Sequence, residues 1–129
     1  MRDELQQAVE NESEQDLIKC LDYRRSNEID SNLYYLIEKA LIGMWHSQHE
    51  DLVNIIYLAN LKDDRFVEPI FNIAMNKEIF RWYDDELEST LRKCIHALKT
   101  IDSKKSNEAL EKLKKTNNDN VKYALEMYK

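Results

Sequence analysis

Apolar residues recur three and four positions apart along nearly the whole chain, the spacing that lines one face of an α-helix. Leu5, Ala8 and Val9 predict a short opening helix. Ser13-Glu14-Gln15-Asp16 reads as the start of a second, with Ser13 as cap and an acid three residues on, leading into Leu17, Ile18, Cys20 and Leu21. Leu33, Leu36, Ile37, Ala40, Leu41 and Met44 form the stripe of a third. Ser47-Gln48-His49-Glu50 has the form of a capping box before Leu52, Ile55, Ile56, Ala59 and Leu61. Pro69 fits a first helical turn, where its missing N–H costs nothing, ahead of Ile70, Phe71, Ile73 and Ala74. Asp84 and Asp85 precede Leu87, Leu91, Cys94, Ile95 and Leu98, placing negative charge at the positive end of a helix. Ala109, Leu110 and Leu113 mark a seventh helix, and Val121, Ala124, Leu125 and Tyr128 an eighth. The expectation is an all-α chain of seven or eight helices forming one domain over residues 1–129.

The helices repeat. A shift of forty residues superposes Ile18, Leu58 and Leu98, and likewise Leu21, Leu61 and Ile101; Ile73 meets both Leu33 and Leu113. A period near forty that holds two helices falls in the HEAT or armadillo range. The segment Leu61-Lys62-Asp63-Asp64-Arg65-Phe66-Val67-Glu68-Pro69-Ile70 resembles the inter-helix turn and second helix of the HEAT-like repeats first associated with phycobilin lyases, which run Leu, a spacer, Asp-Pro-Arg-Ala-Val and Glu-Pro-Leu. Asp119-Asn120-Val121-Lys122-Tyr123-Ala124-Leu125 is similar to the opening of their first helix. The likeness covers about residues 48–129; the turn glycine of those repeats is absent, and a long connection runs through residues 22–30. The resemblance implies a short right-handed stack of helix pairs serving as a binding scaffold.

Composition narrows the picture. One glycine and one proline suit helices joined by short polar loops, not a barrel or sandwich. No apolar run is long enough to span a membrane, no signal-peptide pattern opens the chain, and Cys20 and Cys94 lie inside helical stripes, so a cytoplasmic protein with reduced cysteines is expected. The net charge of −6 is unevenly spread: residues 1–91 hold 9 Lys/Arg against 20 Asp/Glu, and residues 92–129 hold 10 against 5. An acidic first two thirds favours a basic partner and makes nucleic acid an improbable one. The lysines from Lys99 to Lys115 read as a solvated helix face without interleaved exposed aromatics.

Candidate chemistry is sparse. His46 and His49 are spaced i, i+3 but straddle a helix break with no third ligand in view, so they read as surface or interface histidines and no metal is expected. Asp63-Asp64 and Asp84-Asp85 stand at helix starts, where capping accounts for them. Gly43 alone cannot build a phosphate loop, and neither cysteine has a neighbouring histidine, so no catalytic residue and no cofactor is expected. The informative stretch is Ile79 to Glu86, which puts Phe80, Arg81, Trp82 and Tyr83 ahead of a run of acids. Trp, Tyr and Arg dominate interface energetics. Trp82, Tyr83, Asp84, Asp85, Glu86 and Glu88 are therefore the expected partner-binding residues, unless Phe80 and Trp82 fold back to fill the gap between helix pairs. The expected function is that of a protein-binding inhibitor: a cytosolic immunity protein neutralising a cognate bacterial toxin domain such as a basic nuclease, as in contact-dependent growth inhibition. A general HEAT-like adaptor and a lyase-like enzyme are the alternatives.

Overall fold

Several helix starts in this chain are set by side chains that accept the free N–H groups of the first turn. In the computed structural model, which describes the backbone of residues 1–129 and every side chain except that of Tyr23, 71% of the chain is helical and no strand forms among the described residues. The α-helices are α1 (Arg2–Glu10), α2 (Glu14–Cys20), α3 (Tyr34–Ile42), α4 (His49–Leu58), α5 (Val67–Met75), α6 (Lys77–Phe80), α7 (Ser89–Ile101), α8 (Lys104–Lys114) and α9 (Asp119–Glu126). Ser13 accepts from the Asp16 N–H at 3.3 Å, as its sequence context predicts. Asp63 accepts from the Arg65 N–H at 2.9 Å and opens the 3-10 turn Asp64–Phe66 ahead of Pro69 in the first turn of α5. Ser103 and Ser106 form a reciprocal box at the start of α8, with bonds of 3.0 and 2.8 Å.

Two local expectations change. Ser47 does not cap α4: its N–H and hydroxyl donate to Glu14 Oε2 at 2.7 and 2.8 Å, leaving Gln48 at the N-cap without a side-chain bond. A carboxylate accepts more strongly than a neutral oxygen, and Glu14 collects a third donor, Gln48 Nε2, at 2.9 Å. These bonds, from Gln48 first and then Ser47, hold the Glu14 carboxyl at about 2. The second change is an extra helix, the single turn α6, inside a stretch that spacing leaves as a loop.

The missing turn glycines are replaced by polar residues in the left-handed region. Asn60 (φ 57°) and Asn117 (φ 57°) follow the ends of α4 and α8, where asparagine tolerates this geometry; Glu12 (φ 49°) and Asp102 (φ 48°) do the same after α1 and α7. Gly43 has a different reason to be small. An added Cβ would lie 2.5 Å from Trp45 Nε1, so the indole folds back over the end of α3 only because no side chain is there.

The core is continuous from Leu5 to Ala124 and centres on α7, whose Leu91, Cys94, Ile95, Ala97 and Leu98 are fully buried. The α7 helix packs against α4, α5, α8 and α9; α3 meets α1, α4 and α5, and α5 also meets α8. Cys20 and Cys94 are buried free thiols, and among the described residues no helix is long and apolar enough to cross a membrane.

Candidate partner-binding site

Residues 76–88 join α5 to α7, and two buried charges pin that connection. Arg81 Nη2 and Nε donate to the Ala74 carbonyl at 2.7 and 3.2 Å, taking up an unpaired oxygen in the last turn of α5. Arg81 Nη1 reaches Asp84 Oδ2 at 3.4 Å and Glu88 Oε1 at 3.3 Å. Asp84, with a fully buried side chain, accepts from Thr90 Oγ1 at 2.7 Å, Thr90 N at 3.2 Å and Leu91 N at 3.4 Å. It therefore caps α7 from outside the helix, where Glu88 occupies the N-cap position without capping it. Glu88 sits in the left-handed region (φ 45°) and accepts from Asn118 Nδ2 at 2.8 Å and Asn120 Nδ2 at 3.1 Å. Burial works to raise its carboxyl, but those two bonds and Arg81 outweigh it and leave it below the ordinary range. Asn120 Nδ2 also donates to the Glu86 carbonyl at 2.9 Å, tying the connection to α9.

This scaffold sorts the six expected residues into two groups. Trp82 is 65% exposed, which decides against its folding back into the core; Phe80, half-buried, packs against the core instead. Asp85 and Glu86 are exposed and in no ion pair among the described residues; Asp85 Oδ1 only accepts from the Leu87 N–H at 2.9 Å. Tyr83 lies half-buried beneath, edge-on to Trp82 with centroids 5.5 Å apart, and its hydroxyl accepts from the Glu50 N–H at 3.3 Å. Burial raises the Tyr83 phenol. Asp84 and Glu88 point inward and serve the scaffold.

Sequence spacing missed the apolar neighbours. Leu87, assigned to the stripe of a helix that in fact starts at Ser89, is 59% exposed, and Met75 and Ile79 are 46% and 55% exposed. Met75 at the end of α5 and Ile79, Trp82 and Leu87 of the connection thus put four large exposed apolar side chains within thirteen residues of chain, which also hold the exposed acids Glu78, Asp85 and Glu86. The role of Arg81 leaves no mark in the helical spacing, because its partners, three residues away at Asp84 and seven away at Ala74 and Glu88, are gathered by the irregular backbone between α6 and α7.

The histidines lie elsewhere than expected. His46 and His49 are buried, 8% and 2% exposed, and stack with centroids 4.3 Å apart. His46 Nε2 donates to the Ala40 carbonyl at 2.7 Å while Nδ1 accepts from the Gln48 N–H at 2.9 Å, which requires a neutral ring; His49 Nε2 donates to the Gly43 carbonyl at 2.8 Å. Both rings cap carbonyls at the end of α3, so a break that looks polar in sequence is closed inward. No group of three His, Cys, Asp or Glu among the described residues could hold a metal ion. Burial pushes the Cys94 thiol up to about 12, so it stays protonated at neutral pH. The basic C-terminal third also departs from expectation. Tyr123 and Tyr128 are exposed, with Arg92 and Lys99 over their rings at 5.7 and 5.3 Å, so aromatics do interleave with its cations.

Compared with protein-family models, with curated proteins and with solved structures, the chain shows no significant match.

Proposed function

We propose that this protein is a binding inhibitor, a cytosolic immunity protein that occupies and neutralises a basic toxin domain through the α5–α7 connection. The observation that carries the reading is the exposure of Trp82 at 65% on a backbone held by the buried Arg81–Asp84 pair. A large aromatic left in water on a pinned segment, in a stretch of chain that also exposes apolar and acidic residues, has the composition of an interface anchor. Asp85 and Glu86 supply the complementary rim for a cationic partner, adding mainly to the rate of encounter. A HEAT-like stack is the matching architecture. Its support is the order of contacts: α3 meets α5 and α5 meets α8, while α4 meets α7 and α7 meets α9, so every second major helix adjoins the next as in stacked pairs.

The test is capture followed by function. Full-length protein and its Trp82→Ala variant are used as bait in extracts of the source cells, and each protein retained by wild type alone is expressed by itself. The expected result is a basic protein that arrests growth, is rescued by the wild-type chain, and is rescued poorly by Trp82→Ala. Retention of a non-toxic acidic or neutral protein, equally by both baits, would assign the chain to adaptors and remove the inhibitor reading.

A further inference from the structure

The buried histidine pair lies directly beneath the proposed binding segment. The His49 ring packs edge-to-face on Phe80, with centroids 4.9 Å apart, and the next residue's N–H, that of Glu50, donates to the Tyr83 hydroxyl at 3.3 Å. The first turn of α4 therefore seats both residues that flank Arg81 and Trp82. On the other side, His46 holds the corner formed by residues 43–48 to α3, and Ser47 and Gln48 hold it to Glu14 of α2.

Resting on the reading of that segment as the partner-binding surface, we propose that the His46–His49 stack is an acid-sensitive seat, whose protonation releases the α3–α4 corner and residues 80–83 and so switches off partner binding. The chemistry follows from the contacts. A proton on His46 Nδ1 removes the acceptor of the Gln48 N–H, and a second proton sets two cations side by side in a buried space.

Few charges stand nearby to offset this. From α2, Glu14 bears on His46 but is already engaged by Ser47 and Gln48. From α3 come the Ala40 and Gly43 carbonyls, with Lys39 across the groove that Trp45 lines. Within α4, Glu50 turns its carboxylate to Ser89 and Lys93 of α7, at 2.7 and 2.8 Å. From α6 the contact is the apolar Phe80; Lys77 is drawn to Glu88, and Glu78 is exposed. Burial, and then the neighbouring His46, lower His49 to about 4, and burial lowers His46 as well.

Amide hydrogen exchange by NMR on the free full-length protein tests the seat. A histidine that titrates at 6.5 in the open segment and at about 4 in the closed one shifts the open–closed ratio about twentyfold between pH 7 and pH 5. Protection of the Gln48, Glu50 and Asp84 amides is expected to fall by about that factor relative to Ser106, which lies in the capping box of α8. In the double variant His46→Asn/His49→Gln, which keeps donors and acceptors without a titrating ring, the differential fall is expected to vanish. Should that variant not fold, the ring resonances of wild type decide: they are expected to titrate only as those amides open. Ring titration near pH 6.5 with protection intact, or a differential fall under about threefold, overturns the proposal. Every readout is on the free protein, so its failure leaves the partner-binding reading standing, and failure of the Trp82→Ala rescue leaves the seat standing.

Discussion

Replacing Asp84 by alanine separates the scaffold of the α5–α7 connection from its surface. The carboxylate is fully buried, accepts three hydrogen bonds from the first turn of α7, and lies 3.4 Å from Arg81 Nη1. Removing one partner of a buried ion pair typically costs about 3–5 kcal/mol. Here Arg81 keeps Glu88 at 3.3 Å and the Ala74 carbonyl at 2.7 Å, so the lower end of that range applies to the charge. Loss of a helix cap adds about 1 kcal/mol. The expected total is about 3–4 kcal/mol, a large share of the roughly 5–15 kcal/mol of a typical domain. Urea unfolding followed by far-ultraviolet circular dichroism measures it, with an unchanged slope against denaturant showing that the two-state description holds. Asp85→Ala is the control, since Asp85 is exposed and accepts only the Leu87 N–H; its expected cost is under about 1 kcal/mol. If Asp84→Ala loses no more than Asp85→Ala, the buried pair does not pin the connection, and the rigid presentation of Trp82 has no basis.

Acid should weaken the fold before the carboxylates titrate. The unfolded chain binds a proton at the ordinary 6.5 of histidine while His49 in the fold resists until about 4, so its contribution is intact above pH 6.5 and is lost as pH falls through that window. At about 1.4 kcal/mol per pKa unit the full loss, complete only below about pH 4, is about 3 kcal/mol, of which about 2 kcal/mol appears between pH 7 and pH 5; unfolding measured at pH 7, 6 and 5 in wild type and His49→Gln checks it, and parallel curves would contradict it. The depressed carboxyls of Glu4, Glu14 and Asp22, each held at about 2, add their loss only below about pH 4.5. Glu12→Gly should stabilise the protein by about 0.5–1 kcal/mol by relieving a left-handed backbone at an exposed position, and a lower thermal midpoint would refute that account of the α1–α2 turn.

Helices were legible because each depends on a local period, and Leu17, Leu41, Ile56, Ile70 and Leu98 are all buried as their spacing requires. Caps were legible where the acceptor is adjacent in sequence, as at Ser13 and Asp63, and were lost where a distant acceptor competes. Ser47 is the clearest case, since its donors go to Glu14, thirty-three residues earlier. Asp84 looked like a first-turn acid and is instead a buried cap, because Arg81 makes burial of its charge tolerable. The histidines were misplaced for a similar reason: the polar neighbours Ser47 and Gln48 suggested surface, while the carbonyls that bury the rings belong to the end of α3. Trp82 stays exposed while Phe80, two residues before it, packs half-buried against the core, a choice between two aromatics that spacing alone does not make.

The central claim is that Trp82 anchors, and Asp85 and Glu86 steer, a basic partner. Binding kinetics on the protein retained by the wild-type bait test it, with Trp82→Ala compared against Asp85→Lys/Glu86→Lys. Trp82→Ala is expected to raise the dissociation rate about thirtyfold, corresponding to about 2 kcal/mol, with association little changed. The charge reversal is expected to slow association several-fold at low salt and to converge on wild type near 1 M salt, where screening shortens to about 3 Å. Wild-type rates in both variants at low salt would place the interface elsewhere on the molecule.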